Sequence, residues 1–545
     1  MSNKAWERRD FLKTVLAGLP LVALDWDSFP LGKGQDRGSN AYDAVIVGAG
    51  LGGLSCGAAF ARQGFKALII EQHSKPGGYA TTFKRPGGFE FDVSLHSTTV
   101  GERDGLHNLI PGFPEIKDVE FLPHPTLFRV IFPDYDYRVV QKNPQALVDT
   151  LSGFFPQEKQ GIAGLFEDMR GLSDDINKYS RAQGKVNMGN FPKDFPFLFK
   201  AFNKTWGQLV ETRLTDPKLK ALVSWLWGYF GLPPAKLSAF YYALPTIGYL
   251  TEGGYYPKGR SQALSQALRR FIEDRGGKVM LGTRVERILT KDHTAVGVRT
   301  LDGQTFTGRV VVSNANAVDT FRRMMPDEAA FLKDEFALMD TYGVSFSIYQ
   351  VFLGLKEDIV RESGLTDSEI AVETGYDPDK AFADMGKGDA ENCGFGLTLY
   401  DNVVPGYSPK GKNTVTITVG QNYDYWARYE ADYLKGDKSA YRKDKERMAD
   451  ILIDRAEKKL LPGLRKAIEV REVGTPLTNL RYTSNYRGAV YGWDQTMNNS
   501  GPTRMPYKTP IKNLFLAGAW TQPGGGYGAV IPSGLQCFAE IMKSW

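Results

Sequence analysis

The residues Gly48-Ala49-Gly50-Leu51-Gly52-Gly53 stand directly after the apolar run Ala44-Val45-Ile46-Val47 and directly before a helix-patterned stretch, Leu54–Gln63. The run carries no polar residue, as a parallel strand buried on both faces requires. Gly48 permits a tight turn, Gly50 lets backbone approach a pyrophosphate, and Gly53 allows the helix to pack close to the strand. The helix N-terminus that follows supplies free amides and a partial positive charge, so the chemistry on offer is anion binding. A second apolar run, Lys66–Ile70, ends in Glu71, where a carboxylate accepts hydrogen bonds from a ribose diol and disfavours a 2′-phosphate. Strand, turn, helix, second strand and terminal acid in this order predict a dinucleotide site.

The next glycines separate the two common dinucleotides. Lys75-Pro76-Gly77-Gly78-Tyr79-Ala80 follows Glu71 closely, and Gly87-Gly88-Phe89-Glu90-Phe91-Asp92 comes after it. A nicotinamide site has no need of a second glycine pair there. FAD stretched across a domain does, because backbone must pass under its pyrophosphate and ribityl chain. At the far end of the chain, Asn513–Ala519 reads as another buried strand running into a turn at Gly518-Ala519. Gly524-Gly525-Gly526-Tyr527-Gly528-Ala529-Val530 follows, with a helix expected over Gly534–Lys543. Glycines ahead of a helix place amides and a positive dipole end beside an electron-rich group, and the pyrimidine edge of a flavin is such a group. The candidate flavin contacts here are Gly518, Ala519, Gly525, Gly526, Tyr527, Ala529 and Val530. For proton transfer the candidates are His96, just past an expected strand at Phe89–Leu95, and Tyr527 beside the glycines. A purely structural role for His96 stands beside the catalytic one.

The remaining elements must position these residues. A chain of 545 residues exceeds what one hydrophobic core serves, so two domains are expected. The net charge of +5 is small for this size and gives no reason to expect a nucleic-acid partner. Five histidines with no HxxxH or HExxH spacing, and three cysteines (Cys56, Cys393, Cys537) with no metal-ligand spacing, point to no metal site. No apolar run reaches the roughly 18–20 residues needed to span a bilayer, so the expectation is a soluble enzyme or one lying on a membrane surface.

After Ala41 most of the chain resembles the phytoene desaturase, carotenoid cis–trans isomerase and retinol saturase group of flavoproteins. The resemblance rests on Val45–Glu71, Gly77–His96, Gly253–Ala315 and Thr475–Gly534. It implies FAD as cofactor and an α/β fold: a Rossmann-type FAD-binding domain of the glutathione-reductase-like, amine-oxidase and phytoene-desaturase branch, with an inserted α+β substrate or cap domain. The implied division is a signal and linker over 1–41, a discontinuous FAD domain over 42–140, 250–322 and 472–545, and a cap over 141–249 and 323–471. The resemblance also places a backbone contact to adenine on Val285 and adds Asn314 to the cofactor site. It implies action on C–C or C=C bonds of a long apolar substrate, a polyene or isoprenoid, by desaturation, saturation or isomerisation. Two other classes share the architecture: flavin amine oxidases and non-enzymatic prenyl-binding proteins.

Asn190–Trp206 interleaves aromatics with lysines, which by its residues suits either a membrane interface or an ordinary cap helix with buried rings; the resemblance favours the interface, and so a membrane surface as partner. A second aromatic group, Trp225, Trp227, Tyr229 and Phe230 with Phe240, Tyr241 and Tyr242, suits either a tunnel wall or plain core. At the N-terminus, Arg8-Arg9-Asp10-Phe11-Leu12-Lys13 followed by the apolar Val15–Leu24 resembles a twin-arginine export signal, the alternative being an amphipathic helix. Export would put the enzyme in the periplasm or on a peripheral membrane, where a quinone is an available electron partner. Retention in the cytoplasm at a membrane is the alternative.

Overall fold

The computed structural model describes residues 24, 26–32, 40–94, 96–99, 110, 112–182, 186–187 and 189–545. The twin-arginine segment lies outside them.

The apolar runs assemble into one seven-stranded sheet. Its strands are β1 (Ala41–Val47), β2 (Ala67–Ile70), β3 (Lys278–Met280), β4 (Val285–Lys291), β5 (Thr294–Thr300), β6 (Thr305–Ser313) and β7 (Leu514–Leu516). The order is β4-β5-β6-β1-β2-β3, with β7 beside β6. β1 is parallel to β2 on one side and to β6 on the other. β6 is long enough to serve two partners on one edge. Its first half is antiparallel to β5, and its second half, Val311–Ser313, is parallel to β7. Strands buried on both faces explain why β1, β2 and the end of β6 read as continuous apolar runs.

Helix α1 (Leu51–Arg62) connects β1 to β2 and packs against α2 (Arg260–Glu273) and α3 (Tyr527–Met542). The chain leaves β1 toward β2 while β6 lies on its other side, so a crevice opens at the carboxyl ends of β1 and β6. That is the position where open α/β sheets bind ligands. α3 starts seven residues earlier than the sequence pattern indicates. Pro532 lies inside it, where a missing amide and a clashing ring read as a break; the helix absorbs this near its first turns.

A second seven-stranded sheet is mostly antiparallel. Its order is Ile468–Gly474, Ser347–Leu355, Asn413–Gln421, Phe395–Thr398, Glu369–Val372, Phe128–Ile131 and Asp136–Val139. The last two strands fall within the stretch expected to belong to the FAD domain. The difference has a physical cause: Phe128–Ile131 pairs in parallel with Glu369–Val372, a partner more than two hundred residues away that no local pattern reveals. Likewise Ile468–Gly474 lies at the edge of the second sheet, and the chain re-enters the first sheet at Leu514–Leu516. Helices including Lys159–Arg181 and Ala239–Glu252 close the cavity on the cap side.

Candidate functional site

Gly48 takes φ +95°, which turns the chain out of β1 and into α1 at once. The neighbouring glycines crowd around Asn314, the residue that follows β6. A Cβ on Gly50 would stand 2.8 Å from Asn314 Nδ2, and one on Gly52 would stand 2.6 Å from Asn314 Oδ1 and from the Gly518 Cα. A Cβ on Gly53 would meet the Gly48 carbonyl at 2.2 Å. Gly53 and Gly52 are therefore set by backbone contact, Gly50 and Gly52 by the Asn314 side chain, which joins the β1 turn to the β7 turn.

The second glycine pair closes onto the first. Gly77 donates its amide to the Ala49 carbonyl at 2.7 Å, and the Ala49 amide donates to Glu71 Oε2 at 2.7 Å. Glu71 Oε1 accepts from the His73 amide at 2.8 Å. Burial pushes the Glu71 carboxyl up from its ordinary value, against the pull of those two amides. Glu71 thus braces the phosphate turn as well as facing the crevice, a role the ribose assignment alone does not contain.

At the other end, Gly518 (φ +88°) donates its amide to Ser533 Oγ at 2.9 Å, so α3 clamps the turn that follows β7. Gly526 caps α3 with φ 90°, and a Cβ on Gly526 or Gly528 would meet open space. The Tyr527 and Gly528 amides that open α3 have no acceptor within their own helix, whereas those of Ala529 and Val530 donate to the Gly526 carbonyl at 3.0 and 2.9 Å. Tyr527 donates its hydroxyl to the Tyr79 carbonyl at 3.1 Å, and burial drives its pKa well above the ordinary value. Its proton is thus engaged by backbone.

All of this surrounds one continuous cavity of about 930 Å³. Its walls include Gly48, Gly50, Gly52, Glu71, Gly77, Gly78, Tyr79, Ala80, Val285, Asn314, Gly518, Ala519, Gly525, Gly526, Tyr527, Ala529, Val530 and His96. Ala49 and Gly53 are not in the wall; they sit one layer behind, where they support it. The cavity continues under the cap, where Phe202, Tyr229, Phe230, Phe240, Tyr241 and Leu244 line it. Trp206 and Tyr242 do not line it; they stack on each other, ring centres 4.1 Å apart, in the core behind it. Trp225 and Trp227 are buried as well, and Trp225 packs on Phe128. The aromatic–lysine segment resolves in the same way. Phe191, Phe195 and Trp206 are buried in the cap core, so these rings are packing rather than an exposed face.

Two residues of the site carried no sequence signal. Arg504 is 1% exposed and donates to the carbonyls of Tyr491, Trp493, Asp494, Asn499 and Ala519, the last at 2.6 Å. It ties the flavin-side turn to the loop carrying Tyr491, another wall residue. Burial lowers its pKa to about 10, which leaves it charged at neutral pH. The other is Glu369, 3.4 Å from His96 Nδ1.

A family model for flavin-containing amine oxidoreductases matches residues 51–542. The chain belongs to this family. The flavoenzyme is 26% identical to the all-trans-retinol 13,14-reductase of Danio rerio over 539 residues, covering 92% of this chain and 86% of that protein. It is 27% identical to the chloroplastic prolycopene isomerase 1 of an Oncidium hybrid cultivar, covering 94% and 86%. A putrescine oxidase variant superposes with a TM-score of 0.60 at 14% identity, covering 93% of this chain and 99% of that one. Cyclohexylamine oxidase from Brevibacterium oxydans IH-35A gives 0.56 at 15%, covering 92% and 99%. The structural likenesses show the fold alone. The cofactor is FAD, and the geometry fits it. A cradle of glycines that a Cβ would fill, an acid at the end of β2, and two helix N-termini all face one cavity.

Proposed function

We propose that this flavoenzyme acts on C–C or C=C bonds of a long apolar polyene or isoprenoid. The observation that carries the reading is the continuity of the cavity: the wall holding the glycine cradle runs into one lined by Phe202, Phe230, Phe240 and Leu244. A chain threaded along those rings is desolvated before it reaches the cofactor end. Bound FAD supplies hydride or electron exchange. The protein holds the chain, excludes water and places a proton-transfer group at the reacting carbons. The retinol reductase and prolycopene isomerase relatives, whose names specify polyene chemistry, support the same substrate class.

The test begins with purified, FAD-reconstituted protein and anaerobic photoreduction. All-trans-retinol and a poly-cis carotene are added separately, and products are resolved by chromatography. Consumption of either polyene, with a change in the flavin bands near 370 and 450 nm, is the expected result. An amine oxidase reading is favoured by the family's description and by the fold likeness to putrescine oxidase. Turnover of putrescine or cyclohexylamine with both polyenes untouched would replace the proposal with it.

The location proposed is outside the cytoplasmic membrane, by a twin-arginine signal, in peripheral contact with lipid and with a quinone as electron partner. Downstream of the signal, Trp26 and Phe29 pack against Phe538, and Arg62 lies 4.1 Å over the Trp26 ring. Cutting between 31 and 40 would strip these rings from the core, so the mature enzyme is expected to retain them. Intact-mass measurement of exported protein decides this.

A further inference from the structure

The cavity wall and the layer behind it hold two histidines in contrasting surroundings. His96 lines the cavity, and its Nδ1 stands 3.1 Å from Thr398 Oγ1 and 3.4 Å from Glu369 Oε2. Thr398 also donates to Glu369 Oε2, at 3.3 Å. Glu369 is 5% exposed, and its Oε1 has no hydrogen-bond partner among the described residues. A buried carboxylate with half of its acceptor capacity unmet is costly unless a cation stands beside it. His96 is in position to be that cation.

The neighbours agree on where the proton sits. Burial, the largest influence on His96, favours the neutral ring; the charge and hydrogen bond of Glu369, with Asp92 behind, outweigh it and raise the pKa. His124, buried and close to His96, is pushed down to about 3, so it stays neutral, with Nδ1 2.7 Å from Ser368 Oγ. Tyr229, whose ring meets His96 edge-on at 6.0 Å, and Tyr249 both donate their hydroxyls to the Ser97 carbonyl. With Tyr400 they are held far above their ordinary pKa by burial and carry no charge at neutral pH.

We propose that Glu369 and Thr398 hold His96 as a stored proton donor in the cavity wall, with Nε2 presented to the bound chain. This rests on the reading that a polyene occupies the cavity. His96 gives its Nε2 proton to one carbon of a double bond while the adjacent carbon takes a hydride from reduced FAD. The C=C becomes CH–CH, the flavin would be left oxidised and be reduced again by a two-electron donor such as the quinol form of its electron partner, and the neutral imidazole recovers a proton from solvent. His96 is the catalytic residue of this step; Glu369 and Thr398 are positioning residues.

The small number of histidines makes a direct test practical. The full-length FAD-bound protein is prepared with 13C-labelled histidine rings, and each signal is followed from pH 5 to 9, with His96→Gln identifying the one of interest. The His96 signal is expected to titrate above the ordinary value of about 6.5. In Glu369→Gln it is expected to fall by more than one pH unit, a tenfold change in the proton equilibrium. Thr398→Val moves it the same way by less, and serves if Glu369→Gln fails to fold. The basic limb of polyene reduction should move down with it. A His96 titrating at or below 6.5, or one indifferent to both substitutions, overturns the proposal even in an active enzyme. A raised His96 in a protein that leaves every polyene untouched overturns the polyene reading and the proton's destination with it, while the stored charge stands.

Discussion

The two halves of the cavity are built by different means. At the nucleotide end, position is set by backbone: Gly50, Gly52, Gly53 and Gly518 leave no room for a Cβ, and a single amide side chain, Asn314, fills the space between them. At the cap end, position is set by rings. Phe230 packs edge-on against both Tyr241 and Tyr242, and Tyr242 stacks on Trp206. A cofactor of fixed shape permits a backbone mould that tolerates almost no substitution. A substrate wall made of side chains reshapes when one ring is changed, without disturbing the mould. The same fold therefore serves many substrates.

The largest expected effect comes from breaking the mould. Gly53→Ala places a Cβ 2.2 Å from the Gly48 carbonyl, so the turn must open. A loss of about 3 kcal/mol or more in stability, with little or no flavin band after reconstitution, is expected by denaturant melt and absorption. The counterpart in the cap is Gly228, whose added Cβ meets nothing within 4 Å. Gly228→Ala should change stability by no more than about 1 kcal/mol, in the favourable direction, and leave the flavin spectrum alone. Equal damage from both substitutions would erase the distinction between the halves.

Next in size is Arg504, which joins them. Arg504→Met leaves five carbonyls without their donor around a fully buried position. A loss of about 2–3 kcal/mol is expected. Arg504→Lys keeps the charge but not the fork of donors, so it should recover only part of the melt. Full recovery by lysine would mean that the charge, rather than the carbonyl geometry, holds the Ala519 turn.

The contrast also explains what the sequence disclosed. The cradle was legible because its physics is local: Gly48 to Glu71 spans one strand–turn–helix–strand unit in which each residue type has one mechanical reason. The α3 glycines were legible for the same cause, although Pro532 hid where the helix begins. Arg504 was hidden because its partners are carbonyls, which every residue possesses. Glu369 was hidden because it comes beside Thr398, the other partner of His96, through the antiparallel pairing of Glu369–Val372 with Phe395–Thr398, and His96 lies some three hundred residues from Thr398 in the chain. The aromatic segment around Phe195 offered lipid or core equally by its residues, with the resemblance favouring lipid, since ring and lysine spacing is common to both; Phe191, Phe195 and Trp206 are buried while Phe197, Phe199 and Phe202 are half-buried.

A smaller effect, confined to the cap, comes from filling the substrate wall. Leu244→Trp adds volume where Phe240 and Tyr241 already narrow the cavity. The kcat/KM for a polyene should fall about tenfold, with the 450 nm band and the melting temperature unchanged. A lost flavin band in this variant would mean that the halves are coupled through the cavity.

The smallest effect separates the two halves by pH. Glu71 in the cradle and Glu373 at the end of a second-sheet strand both have carboxyls raised by burial, but only Glu71 has amides opposing the rise. Glu373 is pushed up to about 7 from an ordinary 4.5. The sign follows from linkage: between those values the unfolded chain releases a proton that the folded one keeps, so stability falls as pH rises through that window and levels off above pH 7. The whole shift would correspond to about 3 kcal/mol; partial exposure of the residue reduces the expectation to about 1–2 kcal/mol. Urea melts of wild type and Glu373→Gln at pH 4.5, 6 and 7.5 should therefore diverge upward, with the variant the more stable at the highest pH. Adding FAD should raise both curves without changing their separation, because Glu373 lies in the half that the cofactor does not mould. Parallel curves from pH 4.5 to 7.5 would show that solvent reaches Glu373, and the pH sensitivity of the fold would then have to be sought in the cradle at Glu71.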